Sequence, residues 1–431
     1  MRLSSDFAKL SVNAQNFEMP VVASTVGPDG ILISQMRNND FVTLDPGFLT
    51  TAQCESKITF IDGDQSILRY RGYDIADLTS DGYYLDVAYL LIYGHLPNEN
   101  QLSVFTERVL KNTVVGEDFH AFLNSFPRTA HPISVLASSI NALETFLPST
   151  NNIKDPEQVD EAIISILAKI RTITSQIMRR HRNQSLLYPN SADGYILDFF
   201  RMCFARPYEN YEPDPTMVTA LDRLLILQAD HEQNCSTSVV RVVGSSNASL
   251  YASVASGINA LSGPLHGGAN EAAFKQLKVI RKYVEDGGTI QQFVDYAKRE
   301  DKKIMGLGHR VYRSFDPRAQ IAKEQAMNIY AAGKGNRELF DIAIELEQIV
   351  LADPYFTERK LYTNIDYWTA LVYDAIGFES EMFTPLFAMA RTAGWIAHWK
   401  EMHADPLTKI GRPRQVYSGP VYQEFKRVKE R

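Results

Sequence analysis

The sequence has little cysteine and no long apolar run. Three cysteines stand far apart among 431 residues, and none belongs to a Cys-x-x-Cys or Cys/His spacing of a zinc site. This usage predicts a reducing compartment and no metal. The first 15 residues show no apolar signal region, and the apolar stretch 382–390 ends at Arg391, too short to cross a bilayer. We therefore expect a cytoplasmic protein that does not enter a membrane.

Clustered positive charge is also missing. The formal net charge is −7 at pH 7, and no run of five or more Lys or Arg residues occurs, so nucleic acid is not an expected partner. Hydrophobic residues make up 45% and charged residues 22% of the chain, as in an ordinary globular protein. The length allows two or three domains, or one large helical domain with a smaller companion.

The pattern of apolar residues changes along the chain, from short continuous runs near the N-terminus to the i, i+3, i+4 spacing of helices further on. Runs at 21–23 and 31–33 predict short strands, and runs at 57–61 and 67–70 flank an Asp-Gly-Asp turn typical of a hairpin. Beyond about residue 74 the period is helical; one predicted helix ends at Gly377. We therefore predict a mainly α fold with a short N-terminal β segment.

One histidine, His266, follows a Gly-Pro turn and is followed by two glycines and a predicted helix. The neighbouring glycines let a ligand approach the backbone closely, and the N-terminal dipole of the helix favours the neutral imidazole. A neutral histidine donates a hydrogen bond to an oxygen on which negative charge develops. The alternative is a packed turn in which the protein itself satisfies the ring.

A second histidine, His309, stands in the run Gly-Leu-Gly-His-Arg-Val-Tyr ahead of a helix start. Asp316 and Pro317 have the residue types of an N-cap and a first helical position. Arg318 then lies in the first turn, where free backbone N–H groups bind anions. The alternative is a surface helix start with a solvated arginine.

Three further segments hold polar candidates. Asp366 opens an amphipathic helix, although an aspartate in a first helical turn is common and complements the dipole. Arg391 stands among small residues in an apolar helix, which predicts a buried guanidinium paired with an internal acid or a ligand carboxylate. His231 belongs to a polar run, residues 229–236, that caps helices or contacts a ligand and does not have the spacing of a zinc site.

Together these segments resemble the citrate synthase family, in particular its longer bacterial members with an N-terminal β segment. The resemblance covers essentially the whole chain, and several motifs in order are more specific than any one of them. The matching stretches are LDPGF at 44–48, ESKITFIDGD at 55–64, ADHEQN at 229–234, GPLHGGANEA at 263–272, GLGHRVY at 306–312, DPRA at 316–319, NID at 364–366, FAMARTAGWIAHW at 387–399 and RPRQVY at 412–417.

The resemblance implies three catalytic residues. Asp366 corresponds to the base that removes a methyl proton from acetyl-CoA, and His266 to the group that stabilises the resulting enol or enolate. His309 corresponds to the group that polarises, and helps to protonate, the ketone of oxaloacetate. The resemblance also implies that four donor side chains hold oxaloacetate: His231, Arg318, Arg391 and Arg412. Of these, Arg412 is expected to come from a neighbouring subunit.

The resemblance also implies a CoA site and a domain arrangement. The loop 304–313 is expected to hold the adenine end of CoA, through Met305, Gly306, Gly308 and Arg313, with Arg359 and Lys360 as weaker phosphate contacts. A β-rich segment (1–73) is followed by a large helical domain (74–272 and 381–431) and a small helical domain (273–380). Closure of the small domain over the large one would exclude water during the reaction.

The implied function is that of an Si-type citrate synthase, an acyltransferase at the entry of the tricarboxylic acid cycle. It acts as a homo-oligomer on acetyl-CoA, oxaloacetate and water and needs no cofactor or metal. One alternative is a 2-methylcitrate synthase that uses propionyl-CoA, because one methylene changes pocket affinity by only ~1–3 kcal/mol. A non-enzymatic alternative is a helical scaffold that binds CoA or a dicarboxylate; such a scaffold has no need for all these residues together.

The chain departs from the family pattern at three places. Gln228 stands where close relatives often have histidine, so one polar contact differs. Some bacterial members are hexamers inhibited by NADH, and the segments that resemble their regulatory site read Pro-Tyr-Glu at 207–209, without the cysteine, and Lys-Asn-Thr-Val at 111–114. The sequence therefore gives no basis for NADH inhibition or for choosing between a homodimer and a hexamer.

Overall fold

The computed structural model describes residues 2–13, 15–38 and 41–431. By their contacts these residues form two units, one of Met1–Glu55 with Gly411–Arg431 and one of Ser56–Ile410. The predicted boundary between a large and a small helical domain, at residues 273 and 380, lies inside the second unit and stays a prediction.

The first unit contains a three-stranded antiparallel sheet in the order β1-β2-β3, formed by β1 (Leu3–Val12), β2 (Gln15–Val22) and β3 (Gly30–Ile31). Two strands occur where apolar runs predict them, at the end of β2 and in β3. The long strand β1 escaped prediction: its side chains are exposed or only half-buried, and apolar and polar residues alternate only in its second half, at 8–12. Residues 411–431 of this unit have no helix or strand apart from one short 3₁₀ turn at Val428–Glu430.

The second unit begins with an antiparallel sheet of β4 (Thr59–Asp62), β5 (Ile67–Tyr70) and β6 (Tyr73–Asp74). Asp62 pairs with Ile67 across the turn, which confirms the predicted hairpin. The rest of the unit is helical, and its α-helices are α1 (Ile75–Asp81), α2 (Tyr84–Tyr93), α3 (Glu99–Lys111), α4 (Glu117–Ser125), α5 (Pro132–Phe146), α6 (Pro156–His181), α7 (Tyr195–Phe204), α8 (Pro215–Gln228), α9 (Cys235–Gly244), α10 (Leu250–Leu261), α11 (Ala269–Glu285), α12 (Ile290–Arg299), α13 (Pro317–Ala331), α14 (Arg337–Ala352), α15 (Pro354–Thr357), α16 (Ile365–Ile376) and α17 (Phe383–Ala404).

Helix ends near the candidate residues follow local chemistry. The Asp316 side chain accepts from the backbone N–H of Arg318 and Pro317 takes the first helical position, so α13 starts as predicted. The Asn364 side chain caps α16, which ends as predicted at Gly377 with φ of +107°. These caps fix the first turns of α13 and α16, and with them the positions of Arg318 and Asp366.

The core of this unit centres on two long helices. Residues 383–399 of α17 are buried without a break, and so are residues 162–179 of α6. A helix that is buried on every side belongs to the interior of a large helical protein, which confirms the predicted mainly α fold. In the described part of the chain, no helix combines the length and the apolarity needed to cross a membrane. Arg391 is itself buried and stands inside the core of this unit.

Candidate active site

His266 lies in a tight turn between α10 and α11. Its backbone N–H donates to the carbonyl of Gly263, and that of Gly267 donates to the carbonyl of Leu261, at 3.0 and 2.9 Å. A Cβ on Gly267 would lie 2.2 Å from the Leu261 carbonyl oxygen, so only glycine fits this turn. The glycine next to the histidine thus lets the chain fold tightly enough to present the ring.

The ring of His266 faces the N-terminus of another helix, α9. The backbone N–H of Ser236 and its hydroxyl oxygen lie 3.3 and 2.9 Å from Nε2. Because an N–H points at Nε2, the neutral ring carries its proton on Nδ1 and can donate it to a ligand. Burial, with the charges of Arg391 and Arg310, lowers the pKa of His266 to about 4. The predicted neutral histidine is therefore supported, and α9 supplies a helix dipole that we had expected from α11 alone.

His309 is held in the complementary tautomer. The backbone N–H groups of Val311 and Tyr312 donate to its Nδ1 at 3.0 and 3.3 Å, so the neutral ring carries its proton on Nε2. Burial and the charge of Arg318 lower its pKa to about 4. Nε2 lies 3.4 Å from Nη2 of Arg318, so these two donors can converge on one acceptor, such as an oxygen of an anionic ligand.

Arg318 is buried and paired. It donates from Nε and Nη2 to the carboxylate of Asp316, which also accepts from the backbone N–H of Ile365 at the start of α16. Burial opposes the ionisation of Asp316, but Arg318 outweighs it and holds the pKa of this carboxyl below its usual range. The pair joins the start of α13 to the start of α16.

Arg391 is buried to the same degree, but no carboxylate of the described residues forms an ion pair with it. Its Nε donates to the backbone carbonyl of Gln228 at 2.7 Å, and its guanidinium lies 4.7 Å from the ring centre of Phe387. Burial lowers its pKa to about 10, against the more distant charge of Asp230. An internal acid, one of the two expected partners, is therefore not found; a ligand carboxylate remains. A buried cation without an acid partner favours an anion at this place.

His231 completes the group of rings. Its ring centre lies 5.3 Å from that of His309, and its Nε2 lies 3.3 Å from the hydroxyl of Tyr312. Burial and the charge of Arg318 hold the pKa of His231 well below its usual range. The site thus offers three uncharged imidazoles and two guanidiniums as hydrogen-bond donors.

Asp366 is the second residue of α16. Its backbone N–H donates to the Asn364 side chain, whereas no group of the described residues donates to its carboxylate. Burial raises the pKa of Asp366 to about 6, although the charge of Arg318 acts in the opposite direction. A carboxylate without hydrogen bonds, with a pKa near neutrality, is suited to accept a proton.

The residues expected to contact CoA belong to two adjacent segments. The loop 304–309 is tied to the strand-like stretch 361–364 by backbone bonds from Gly308 to Tyr362 and from Asn364 to Gly306. Both glycines have φ near +80°, which other residues adopt at a cost. Met305 donates to the side chain of Gln276 at 2.7 Å. A small open cleft lies beside this loop, and Lys360, His309 and Tyr312 contribute to its lining.

The two arginines expected to contact CoA, Arg313 and Arg359, are both exposed but differ in their contacts. Arg359 lies 4.1 Å over the Tyr355 ring and donates to its carbonyl. Arg313 lies 3.8 Å from the carboxylate of Asp64, and its backbone N–H donates to Gly63. Arg412 is exposed in the segment that groups with the N-terminal residues, outside the helical unit.

The helical unit thus brings together six predicted residues: His231, His266, His309, Arg318, Asp366 and Arg391. Sequence reasoning missed the contacts of Ser236 and Tyr312 and the ion pair of Asp316 with Arg318, although it predicted Asp316 as an N-cap. Ser236 follows an asparagine N-cap, Asn234, which is a helix-start signal, but nothing in the sequence shows that a ring 30 residues later reaches it.

Comparison with known proteins agrees with this arrangement. The family model "Citrate synthase, C-terminal domain" matches residues 47–414. Citrate synthase 1 of Mycobacterium tuberculosis is 46% identical over 425 residues, 98% of each chain, and citrate synthase of Corynebacterium glutamicum is 47% identical over 406 residues, 94% of this chain and 92% of that protein.

Solved structures give the same result. The citrate synthase of Pyrobaculum aerophilum has a TM-score of 0.79 at 34% identity, over 95% of this chain and 97% of that chain. The citrate synthase of Thermoplasma acidophilum, solved as a ternary complex with carboxymethyl coenzyme A and oxaloacetate, has a TM-score of 0.80 at 29% identity, over 90% of this chain and 100% of that chain.

Proposed function

The chain belongs to the citrate synthase family and is an acyltransferase, and from this premise we propose that it condenses acetyl-CoA with oxaloacetate and water to give citrate and CoA. The observation that carries the proposal is Arg391, a buried cation that has no acid partner among the described residues and lies in the same group as the carboxylate base Asp366. Oxaloacetate has two carboxylates, and one of them would complete the pairing of Arg391.

In the proposed binding step, oxaloacetate lies among Arg318, Arg391 and His231. Arg318 remains paired with Asp316, so only part of its guanidinium can bind the substrate. The terminal nitrogens of Arg391 are available for bidentate contact with a carboxylate. The second carboxylate would be held by Arg412 of a neighbouring subunit. The ketone oxygen lies where Nε2 of His309 and Nη2 of Arg318 converge, because these two donors can bind one acceptor.

In the proposed chemical step, Asp366 removes a proton from the methyl group of acetyl-CoA. The thioester oxygen gains charge as the proton leaves, and the Nδ1–H of His266 donates to it. The enol carbon then forms a bond to the ketone carbon of oxaloacetate, while His309 donates to the ketone oxygen, which becomes the hydroxyl of citryl-CoA. Water cleaves the thioester to release citrate and CoA.

The proposal extends to the rest of the molecule. The loop of Met305, Gly306 and Gly308, with Arg313, Arg359 and Lys360, would hold the CoA nucleotide, and the small domain 273–380 would close over it. We place the enzyme in the cytoplasm as a homo-oligomer, with acetyl-CoA as co-substrate and no cofactor or metal. Few and separated cysteines support this location.

The test is the release of free CoA thiol from oxaloacetate with acetyl-CoA and, separately, with propionyl-CoA. We expect turnover with both and a higher kcat/KM with acetyl-CoA. A higher kcat/KM with propionyl-CoA would make the protein a 2-methylcitrate synthase with the same machinery. The absence of thiol release with either donor, from protein with a cooperative thermal transition, would overturn the enzymatic proposal in favour of a binding protein.

A further inference from the structure

Trp395 of α17 donates a hydrogen bond to a residue of the candidate site. Its indole is fully buried, and its Nε1–H donates to Oγ of Ser236 at 3.0 Å. Ser236 is the residue whose hydroxyl and backbone N–H face Nε2 of His266. The indole therefore contacts the group that orients the imidazole of His266.

Two glycines hold this indole in place. At Gly257 of α10, an added Cβ would lie 3.0 and 3.1 Å from two ring carbons of Trp395, so the missing side chain lets the indole pack against α10. At Gly394, an added Cβ would lie 2.3 Å from Oδ1 of Asp230, and the backbone N–H donates to the carbonyl of Ala229 at 3.0 Å. Close packing on both sides leaves the indole N–H little freedom to move.

The Ser236 hydroxyl has three neighbours and only one proton. Nε1 of Trp395, Nε2 of His266 and Oδ1 of Asn234 lie 3.0, 2.9 and 2.7 Å from its Oγ. An indole N–H only donates, so it occupies a lone pair of Oγ, and the hydroxyl proton is left for the imidazole or the amide. Oδ1 of Asn234 already accepts from the backbone N–H of Thr237 at 3.1 Å, whereas the other donor to Nε2 is a backbone N–H at 3.3 Å. The imidazole thus gains more from the hydroxyl proton.

We propose that Trp395 is a positioning residue for the reaction: its indole N–H holds the Ser236 hydroxyl against Nε2 of His266 and so keeps the proton of this imidazole on Nδ1. The inference rests on the proposed function, in which the Nδ1–H of His266 donates to the thioester oxygen. Without the indole N–H, the hydroxyl can turn to another rotamer, and Nε2 keeps only the longer backbone contact. Both tautomers of the neutral ring then become populated, and the one protonated on Nε2 has no proton to offer the substrate.

A purely structural role for this bond would be to satisfy a buried indole. Trp399, one turn later on α17, provides the comparison, because it is almost as deeply buried and its Nε1 has no hydrogen-bond partner in the described part of the chain. It also packs closely against a glycine: an added Cβ on Gly244 would lie 2.7 Å from its ring. The fold therefore tolerates an indole without a partner at this depth, and the two tryptophans form a matched pair for a test.

The test is the kcat of thiol release from acetyl-CoA and oxaloacetate. Trp395→Phe removes the N–H and keeps an aromatic ring, and kcat should fall by about three- to tenfold, as for the loss of one neutral hydrogen bond. KM for oxaloacetate should change little, because Arg318 and Arg391 keep their contacts. Trp399→Phe should lower Tm to a similar extent and leave kcat unchanged. Equal kcat values in the two variants overturn the proposal.

A double-variant cycle separates positioning from packing. Ser236→Ala removes the hydroxyl itself, and kcat should fall at least as far as in Trp395→Phe. In the Ser236→Ala background, Trp395→Phe should have no further effect on kcat, because the indole acts only through that hydroxyl. A packing defect would instead lower kcat by the same factor in both backgrounds, and that result overturns the proposal.

The tautomer of His266 gives a readout without turnover. In nitrogen NMR spectra of protein labelled in its imidazoles, the His266 signals, assigned by their loss in His266→Asn, should show an unprotonated Nε2 in the unmodified protein and in Trp399→Phe. A share of protonated Nε2 should appear in Trp395→Phe, and an unchanged tautomer overturns the proposal. If Trp395→Phe does not fold, benzothienylalanine at position 395 keeps the ring shape and removes only the N–H. Thiol release by the unmodified enzyme is measured separately, so a failure of the proposed function is recognised independently.

Discussion

Arg318 and Asp316 form a bidentate ion pair inside the protein, with Nε–Oδ1 and Nη2–Oδ2 distances of 3.0 and 2.9 Å. Within the described residues, Arg391 of the same group donates to a backbone carbonyl and lies over an aromatic ring, but forms no ion pair with a carboxylate. The two arginines are equally buried but differ in what their removal leaves behind. Loss of Arg318 leaves a buried carboxylate alone, whereas loss of Arg391 leaves no charge unpaired.

This contrast predicts opposite effects on stability in the absence of substrates. Arg318→Met should lower the free energy of unfolding by about 3–5 kcal/mol, because Asp316 becomes an uncompensated buried charge. Arg391→Met should change it by less than about 1 kcal/mol or raise it, because an unpaired cation is removed. Urea unfolding of both variants checks this. Both should also raise KM for oxaloacetate at least tenfold; equal losses of stability would contradict the assignment of Arg391 to the ligand.

Local signals in the sequence located much of this site. The Asp-Pro start of α13 and the glycine stop of α16 follow from capping chemistry, which acts within one helical turn, and so they could be predicted. The convergence of segments more than 100 residues apart could not be predicted in this way, because apolar spacing and capping do not show which helices pack together. Only the family resemblance predicted that these segments form one site. The partner of His266, the N-terminus of α9, was missed for the same reason.

Arg391 shows another limit of sequence reasoning. Its small apolar neighbours in the sequence correctly predict that the side chain is buried. Whether a carboxylate pairs with its guanidinium depends on α8, which packs beside it but lies more than 150 residues away in sequence. The strand β1 shows a signal that was present but missed. Its second half, residues 8–12, alternates between apolar and polar, and Ala8, Leu10 and Val12 pack against a small apolar cluster of Phe17, Met19 and Met36. Its first half does not alternate, and the alternation is therefore confined to five residues.

The depressed pKa values of His266 and His309 predict a loss of stability in acid. Both have a pKa of about 4 in the folded protein, below the ordinary value of 6.5. Between these values the unfolded chain binds protons that the folded protein does not, so the free energy of unfolding falls as pH decreases from 6.5 to 4. Each ring contributes as much as about 3 kcal/mol to this fall.

The measurement is urea unfolding at several pH values in that window. In the double variant His266→Asn, His309→Asn, the free energy of unfolding should fall clearly less between pH 6.5 and pH 4 than it does in the unmodified protein. His95→Asn is the control, because its imidazole is exposed, and it should reproduce the unmodified decrease. A double variant with the full decrease would mean that neither ring is kept neutral by the fold.

The raised pKa of Asp366 predicts a stability change of opposite sign. Its pKa rises from 3.8 to about 6 on folding, so the folded state disfavours the ionised carboxylate at any pH above this range. Asp366→Asn should therefore raise the free energy of unfolding at pH 8 by up to about 3 kcal/mol and have little effect near pH 4. Turnover should fall by about 10²–10⁴-fold, as for loss of a general base. A variant that loses stability at pH 8 would show that the carboxylate is structural.

Gly308 should matter for acyl-CoA more than for folding. Its φ is +78°, and an added Cβ would lie 2.8 Å from the side chain of Leu361, while its carbonyl accepts from the Asn364 side chain that caps α16. Gly333 provides a matched control: its φ is +73° and no atom lies within 4 Å of an added Cβ. Both Gly→Ala variants pay the conformational cost of about 1–2 kcal/mol for a left-handed residue.

Only one of the two should affect catalysis. In Gly308→Ala the side chain of Leu361 must move aside, within the stretch 361–364 that leads to Asp366. We therefore expect kcat/KM for acetyl-CoA to fall about tenfold, equivalent to ~1.4 kcal/mol. Gly333→Ala should retain the unmodified kcat/KM despite a similar loss in Tm. Because the two substitutions match in backbone strain, a difference between them isolates the contact with Leu361. Equal kcat/KM values in both variants would remove the loop 304–309 from the acyl-CoA site.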